Sequence, residues 1–216
     1  NEGVLKGAYL NIKSKPGNMT KGTDNKTLDG ISEEYIEKLK KEIRTGMWKC
    51  KPSKRIEIPK KNGGKRPLGI PSPREKIVQE AMRMVLEGIY EPTFSEASHG
   101  FRGGKSCHSA FNYIRMKFGG SQWAIEGDIT KCFDSFDHRI LIETLKERID
   151  DQGFIDLMYK CIKAGYIDVE NTLKRSEEGT PQGSIVSPIL CNILMDKLDK
   201  YMEEYKGKFD KGITAK

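Results

Sequence analysis

Two segments of this sequence carry residue types suited to phosphate chemistry. In Glu126-Gly127-Asp128-Ile129-Thr130-Lys131-Cys132-Phe133, a carboxylate follows the apolar run Trp123-Ala124-Ile125 and an aromatic ring comes five residues after it. That run, flanked by a Gly-Gly-Ser turn, reads as a short buried strand. A carboxylate at a strand end is placed to hold a divalent metal, and Mg²⁺ takes hard oxygen ligands that it shares with substrate phosphates. Asp before a turn more often caps a helix or loop, so the segment alone does not assign a metal. The second segment surrounds the Asn62-Gly63-Gly64 turn with Lys60, Lys61, Lys65 and Arg66, and Lys54 and Arg55 precede it. Arg suits bidentate phosphate contacts, Lys suits point-charge neutralisation, and glycine lets backbone approach a ligand closely. A solvated surface hairpin is the bland reading of the same residues.

The charge distribution favours a polyanion partner. Residues 1–66 hold 17 Lys and Arg against 8 Asp and Glu, although the whole chain of 216 residues is only +7. Within residues 49–66, eight basic residues face Glu57 alone. Neutralising phosphates releases condensed counterions, which is what a one-sided basic region is suited to do. At 32% charged residues and with no apolar run near the length of a spanning helix, the sequence argues against a membrane span. Cys50, Cys107, Cys132, Cys161 and Cys191 are scattered and odd in number, and His99, His108 and His138 have no companions at zinc spacing. Neither a disulfide framework nor a zinc site is expected, and the implied compartment is reducing.

The elements that must position these residues make an α+β fold. Residues 1–30, rich in Gly, Lys, Asn and Thr, read as a basic irregular arm. Ser32 caps a helix to about Thr45 that Gly46 ends. Alternation at Ile56 and Ile58, the Gly-Gly turn, and Leu68 and Ile70 give a hairpin cationic at its tip. Ser72-Pro73-Arg74-Glu75 has the form of a capping box, with Ile77, Val78, Ala81, Met82, Val85 and Ile89 as the buried face of the helix that follows. A loop through Ser98-His99-Gly100-Phe101-Arg102 leads to a helix with Cys107, Phe111, Ile114 and Phe118 in register. Asp137 caps a helix bearing Leu141, Leu145 and Ile149. A helix over about 154–164 ends at Gly165, a short hairpin spans 166–180, and Ser187-Pro188 opens a long helix to about Tyr205.

Five segments occur in an order that resembles the reverse transcriptases encoded by group II introns: KRPLGIP at 65–71, SHGFR at 98–102, D-x-x-x-x-F at 128–133, TPQGS at 180–184 and SPILCNILMDKLD at 187–199. The resemblance runs from about residue 20 to about residue 205, and Pro73–Glu80 and Lys163-Ala164-Gly165-Tyr166 look closest to mitochondrial members. It implies a right-hand polymerase fold: helix-rich fingers with a basic β-hairpin over 31–120, and the N-terminal part of an antiparallel-sheet palm over 121–216, with a fingers-type insertion at about 140–180. By this resemblance Asp128 and the Ile129 carbonyl hold metal in a site for two Mg²⁺ ions. Lys61 or Lys65 with Arg66 closes over the incoming triphosphate, and Phe133 selects the sugar. Gln182 lies beside the nucleotide. Lys54, Arg55, Lys60, Arg102 and Lys105 contact nucleic acid. Phe101 reads equally as a core anchor, and Gly103 stands where such loops more often have Pro.

The family's Tyr-Ala-Asp-Asp turn, which supplies two further metal-binding aspartates, does not occur before Lys216, so these residues alone are expected not to polymerise. Asp137 is better explained as a helix cap than as a substitute ligand. The implied partners are group II intron RNA, an RNA template with a DNA primer, dNTP and a DNA target site, with dimerisation through an open strand edge. The implied location is mitochondrial, or the bacterial cytoplasm as the alternative. A non-catalytic RNA-binding scaffold is the rival reading, and a telomerase- or retron-type polymerase a more distant one.

Overall fold

The chain enters on a helix, α1 (Glu2–Lys13), whose N-terminus is capped by the Asn1 side chain accepting the Gly3 N–H at 3.0 Å. The computed structural model describes residues 1–60, 63–130, 132–175, 178–180 and 183–211. The irregular arm expected over 1–30 is therefore corrected over its first half. Leu5, Ala8 and Ile12 recur at helical spacing and are buried, which outweighs the helix-weakening Gly3 and Gly7. The remainder, 14–31, is irregular but held in place: Leu28 is buried and its N–H donates to the Asn18 carbonyl at 3.0 Å.

Helix α2 (Glu33–Arg44) follows with Ser32 accepting the Tyr35 N–H, and Gly46 ends the region at φ +71. Strands β1 (Ser53–Pro59) and β2 (Lys65–Ile70) then form the expected antiparallel hairpin, with Ile56 opposite Leu68 and Ile58 opposite Arg66.

Helix α3 (Pro73–Tyr90) is the axis on which the rest is assembled. Nearly all of 73–82 is buried, including Glu75, Lys76, Gln79 and Glu80. A helix buried all round is normally apolar all round. Here the polar positions bond to other segments instead. Lys76 Nζ donates to the carbonyls of Gly17 and Thr20 at 3.1 and 3.2 Å, and Glu80 accepts from Asn11 at 3.2 Å. The capping box does not form: Ser72 makes no side-chain cap bond and meets Thr23 Oγ1 at 3.3 Å, while Glu75 turns inward to accept the Lys51 N–H at 3.3 Å. Leu86 and Tyr90 occupy the core positions expected of Val85 and Ile89; Val85 is exposed and Ile89 only partly buried.

After a 3-10 turn at 91–93 come α4 (Cys107–Lys117), the short α5 (Cys132–Ser135), α6 (His138–Lys146) and α7 (Gln152–Ile162). Asp137 caps α6 by accepting the Arg139 N–H, and Leu141, Leu145 and Ile149 are buried as expected. Strand β3 (Tyr166–Ile167) pairs parallel with the start of β1 and antiparallel with β4 (Leu173–Lys174), giving the order β2-β1-β3-β4. Helix α8 (Ser187–Asp210) buries Ile189, Leu190 and Ile193 against α3 and α6. Met82, Leu86, Leu141, Leu145, Met158 and Leu190 belong to one continuous core. Among the described residues no helix is long and apolar enough to cross a membrane.

The strand expected at 123–125 is not formed. Residues 121–129 have no regular structure, and Trp123 and Ile125 are 89% and 100% exposed. A strand is stabilised by its ladder neighbours, and no described strand lies beside this one. The same holds for α4, whose Phe111, Ile114 and Phe118 share a face as expected but remain exposed.

Candidate functional site

Three segments far apart in sequence meet beside one cavity. The first is α5 with the turn after it. The Thr180 N–H donates to the Phe133 carbonyl at 2.6 Å, the Gly179 N–H donates to the Phe136 carbonyl at 2.7 Å, and Asp137 bridges to Glu178. His138 Nε2 lies 2.6 Å from the Gly179 carbonyl, an acceptor, so Nε2 carries the proton. Gly179 has φ +66, and a Cβ there would stand 2.4 Å from Asp134 Cα, so no side chain fits between these strands of chain.

The second segment is Gly183 with Ser184, just before α8, which lies against β2 of the hairpin. Gly183 has φ +101, and a Cβ would meet the Gly69 carbonyl oxygen at 2.3 Å. Behind it, Gln79 Oε1 accepts from Ser184 Oγ at 3.2 Å and from the Ile185 N–H at 3.1 Å, fixing the exit of the turn to α3. The third segment is the loop at 98–102. Phe101, at φ +55 and 75% exposed, sets its ring against that of Phe133 with centroids 6.1 Å apart and planes at 76°. A non-glycine residue held in the left-handed region next to a cavity is strain of the kind that collects at functional sites.

The cavity, about 620 Å³, has β2, Phe101 and Gly183 in its wall. Lys76, Glu80, Arg83 and Glu87, spaced as one stripe of α3, form another side. Arg83 bonds Glu80 and Glu87 at 2.8 and 2.9 Å, and these carboxylates push its pKa further up, so it stays charged. Burial pulls the Lys76 ammonium down from its ordinary value.

The expected site residues divide into several groups. Phe133 stands against Phe101 and is hydrogen-bonded through its carbonyl to the 178–180 segment. Lys60, Lys65 and Arg66 flank the hairpin tip and are exposed; Lys65 pairs with Glu57 at 2.8 Å, which raises its pKa. Lys61 and Gln182 lie outside the described residues. Lys54 is exposed, and the Arg55 guanidinium lies over the Tyr166 ring at 4.2 Å, tying β1 to β3. Lys105 donates to the Glu96 carbonyl at 3.5 Å. Asp128 and Ile129 are exposed in the irregular 121–129 segment, and Asp128 makes no hydrogen bond or ion pair with a described residue.

Arg102 is a correction. Its side chain is 7% exposed, and all five N–H donors are used within the protein. Nε and Nη2 reach Glu91 Oε1 at 3.0 and 2.9 Å, Nη1 reaches the Ser95 and Ser98 carbonyls at 2.7 and 2.8 Å, and Nη2 also reaches the Glu91 carbonyl at 3.5 Å. No donor is left for a phosphate. Phe101, the alternative core anchor, is likewise no core residue.

A divalent metal fits this donor set incompletely. Asp128 and the Ile129 carbonyl offer hard oxygens, but among the described residues no three His, Cys, Asp or Glu side chains converge as metal ligands. Sequence reasoning missed Gln79, Lys76 and Glu80, because α3 was read only for its apolar stripe. The signal was present: polar residues at 76, 79, 80, 83 and 87 repeat at the same helical period.

Comparison with known proteins identifies the family of the chain. Residues 58–214 match the family described as reverse transcriptase (RNA-dependent DNA polymerase). A putative COX1/OXI3 intron 1 protein of Saccharomyces cerevisiae is 50% identical over all of this chain, which covers 26% of that protein. An uncharacterized 91 kDa protein in a cob intron of Schizosaccharomyces pombe is 52% identical over 97% of the chain and 26% of its own length. The group II intron-encoded protein LtrA of Lactococcus lactis is 47% identical over 94% of the chain and 34% of its own length. The chain thus spans about a quarter to a third of these relatives.

Proposed function

We propose that this chain, which belongs to the reverse transcriptase (RNA-dependent DNA polymerase) family, is the fingers and first part of the palm of a group II intron-encoded reverse transcriptase and maturase with a right-hand polymerase fold. The full-length protein would copy an RNA template from a DNA primer with dNTP, bind group II intron RNA to assist splicing, and act at a DNA target site. Its home is mitochondrial by resemblance, with the bacterial cytoplasm as the alternative. The observation that carries the reading is the meeting of Phe101, Gly183 and β2 at one cavity beside a cationic hairpin, with the Phe133 ring packed against Phe101.

In this reading each residue has one task. Lys61, Lys65 and Arg66 neutralise and orient the triphosphate, and Gln182 meets the nucleotide beside its template partner. Phe133 presents a flat ring to the sugar and rejects a 2′-hydroxyl by clash rather than by hydrogen bonding. Asp128 and the Ile129 carbonyl would be the residues holding the Mg²⁺ pair, which would activate the attacking hydroxyl and stabilise the leaving group. Since these residues alone do not complete a cage, the isolated 216 residues are expected to incorporate no nucleotide.

The test is sugar selection in the full-length enzyme. Phe133→Ala should admit ribonucleotides while leaving dNTP incorporation measurable, and unchanged discrimination would remove Phe133 from the site. A non-catalytic RNA-binding scaffold is favoured by one observation, the solvent-exposed Asp128 without a partner among the described residues. Asp128→Asn separates the two: it should abolish incorporation in an enzyme and change nothing in a scaffold.

A further inference from the structure

A second cationic surface shares no lining residue with the cavity. Lys49, Lys160, Lys163 and Arg175 ring a groove of about 440 Å³ floored by Pro52 and Leu173. These cations come from three segments: the link between α2 and β1, the end of α7, and the chain leaving β4. Among the described residues no carboxylate lines the groove, whereas Glu80, Glu87 and Glu91 all line the cavity. Lys49 and Arg175 form no ion pair with a described residue. Lys160 reaches the Gly46 carbonyl at 3.3 Å, and the Lys163 ammonium rests over the Tyr159 ring at 4.8 Å.

Lys160 and Lys163 have a local explanation, since cations at a helix C-terminus complement its dipole. Lys49 and Arg175 lie on no helix, so that explanation does not reach them. Gathering cations from three segments where, among the described residues, no carboxylate lines the groove opposes folding and is balanced when a polyanion binds. Among the described residues no aromatic ring lines the groove to stack on splayed bases; it suits phosphates along a helical backbone.

We propose that this groove is a phosphate-backbone site for helical RNA, occupied independently of the template–primer cavity. The proposal rests on the RNA-binding reading above and adds to it a separate surface. Lys49→Gln with Arg175→Gln is the variant to test, because both side chains are exposed and neither caps an element.

With the full-length protein, binding of an RNA hairpin should weaken roughly tenfold at fixed salt, and the slope of log affinity against log salt should fall by about two, close to one unit per lost phosphate contact. Affinity for an RNA template annealed to a DNA primer, and nucleotide incorporation on it, should not change. Lys49→Arg with Arg175→Lys should restore hairpin binding. An unchanged hairpin slope in a variant of unchanged melting temperature overturns the groove. An equal loss on hairpin and primed template overturns its independence. A wild-type protein that incorporates nucleotides but binds no hairpin RNA overturns the groove while leaving the polymerase reading intact.

Discussion

Arg102 and Gly183 show how the same kind of sequence motif resolves in opposite ways. Arg102 sits in a motif expected to touch template, yet its guanidinium is closed off by Glu91 and three carbonyls. Arg102→Ala should therefore destabilise the fold by roughly 2–4 kcal/mol, the lower part of the range for a broken buried pair because Glu91 is partly exposed. The urea midpoint should drop while the salt slope of RNA binding stays as it was; the reverse result would restore a phosphate contact. Gly183 is the residue the turn cannot replace. Gly183→Ala must push the turn off the Gly69 carbonyl and should cost about 1–3 kcal/mol of local strain, read as a raised KM for nucleotide. Asp137 as a cap was legible because its acceptor faces an N–H two residues on. Arg102 was not, because backbone carbonyls as acceptors leave no mark in a sequence.

At the level of elements, periodicity identified what packs and missed what bonds. The hairpin, α2, α6, α7 and α8 were readable from apolar spacing and caps. The Ser72–Glu75 box was not, because both side chains are taken by distant partners: Thr23 for one, the Lys51 N–H for the other. Burial has a measurable consequence here. Glu75, 1% exposed and with Oε2 unpartnered among the described residues, is pushed up by desolvation from its ordinary 4.5 to about 7, against the opposing pull of the Lys51 N–H and Arg74. Between those values the native state keeps a proton that the unfolded chain releases. Stability should consequently fall as pH rises from 4.5 to about 7, by on the order of 3 kcal/mol, and level off above. Glu75→Gln should flatten that slope in denaturation curves taken across the window. A wild-type curve flat over the same range would mean the carboxyl is ionised in the fold.

For the molecule as a whole, the order of motifs gave the family, and the basic hairpin tip was visible from composition. What could not be read was which apolar runs find a cover. The run at 123–125 and the face of α4 are apolar by pattern and exposed in the structure, and so are Leu198, Tyr201 and Tyr205 on the outer part of α8. The two tryptophans report this directly, since Trp48 is 1% exposed and Trp123 89%. Acrylamide should quench two populations of unequal access, and Trp123→Phe should leave only the protected one; a single protected population would restore the buried strand. The four-stranded sheet carries a different consequence. Ser53 and Lys54 find their parallel neighbours only at Tyr166 and Ile167, so the ladder encloses about half of the polypeptide. During synthesis the first hairpin must wait on the ribosome as an isolated, marginal pair of strands until α7 has emerged. Its lysines and arginines then repel a second nascent copy during the very interval when an unpaired edge is most prone to misassembly.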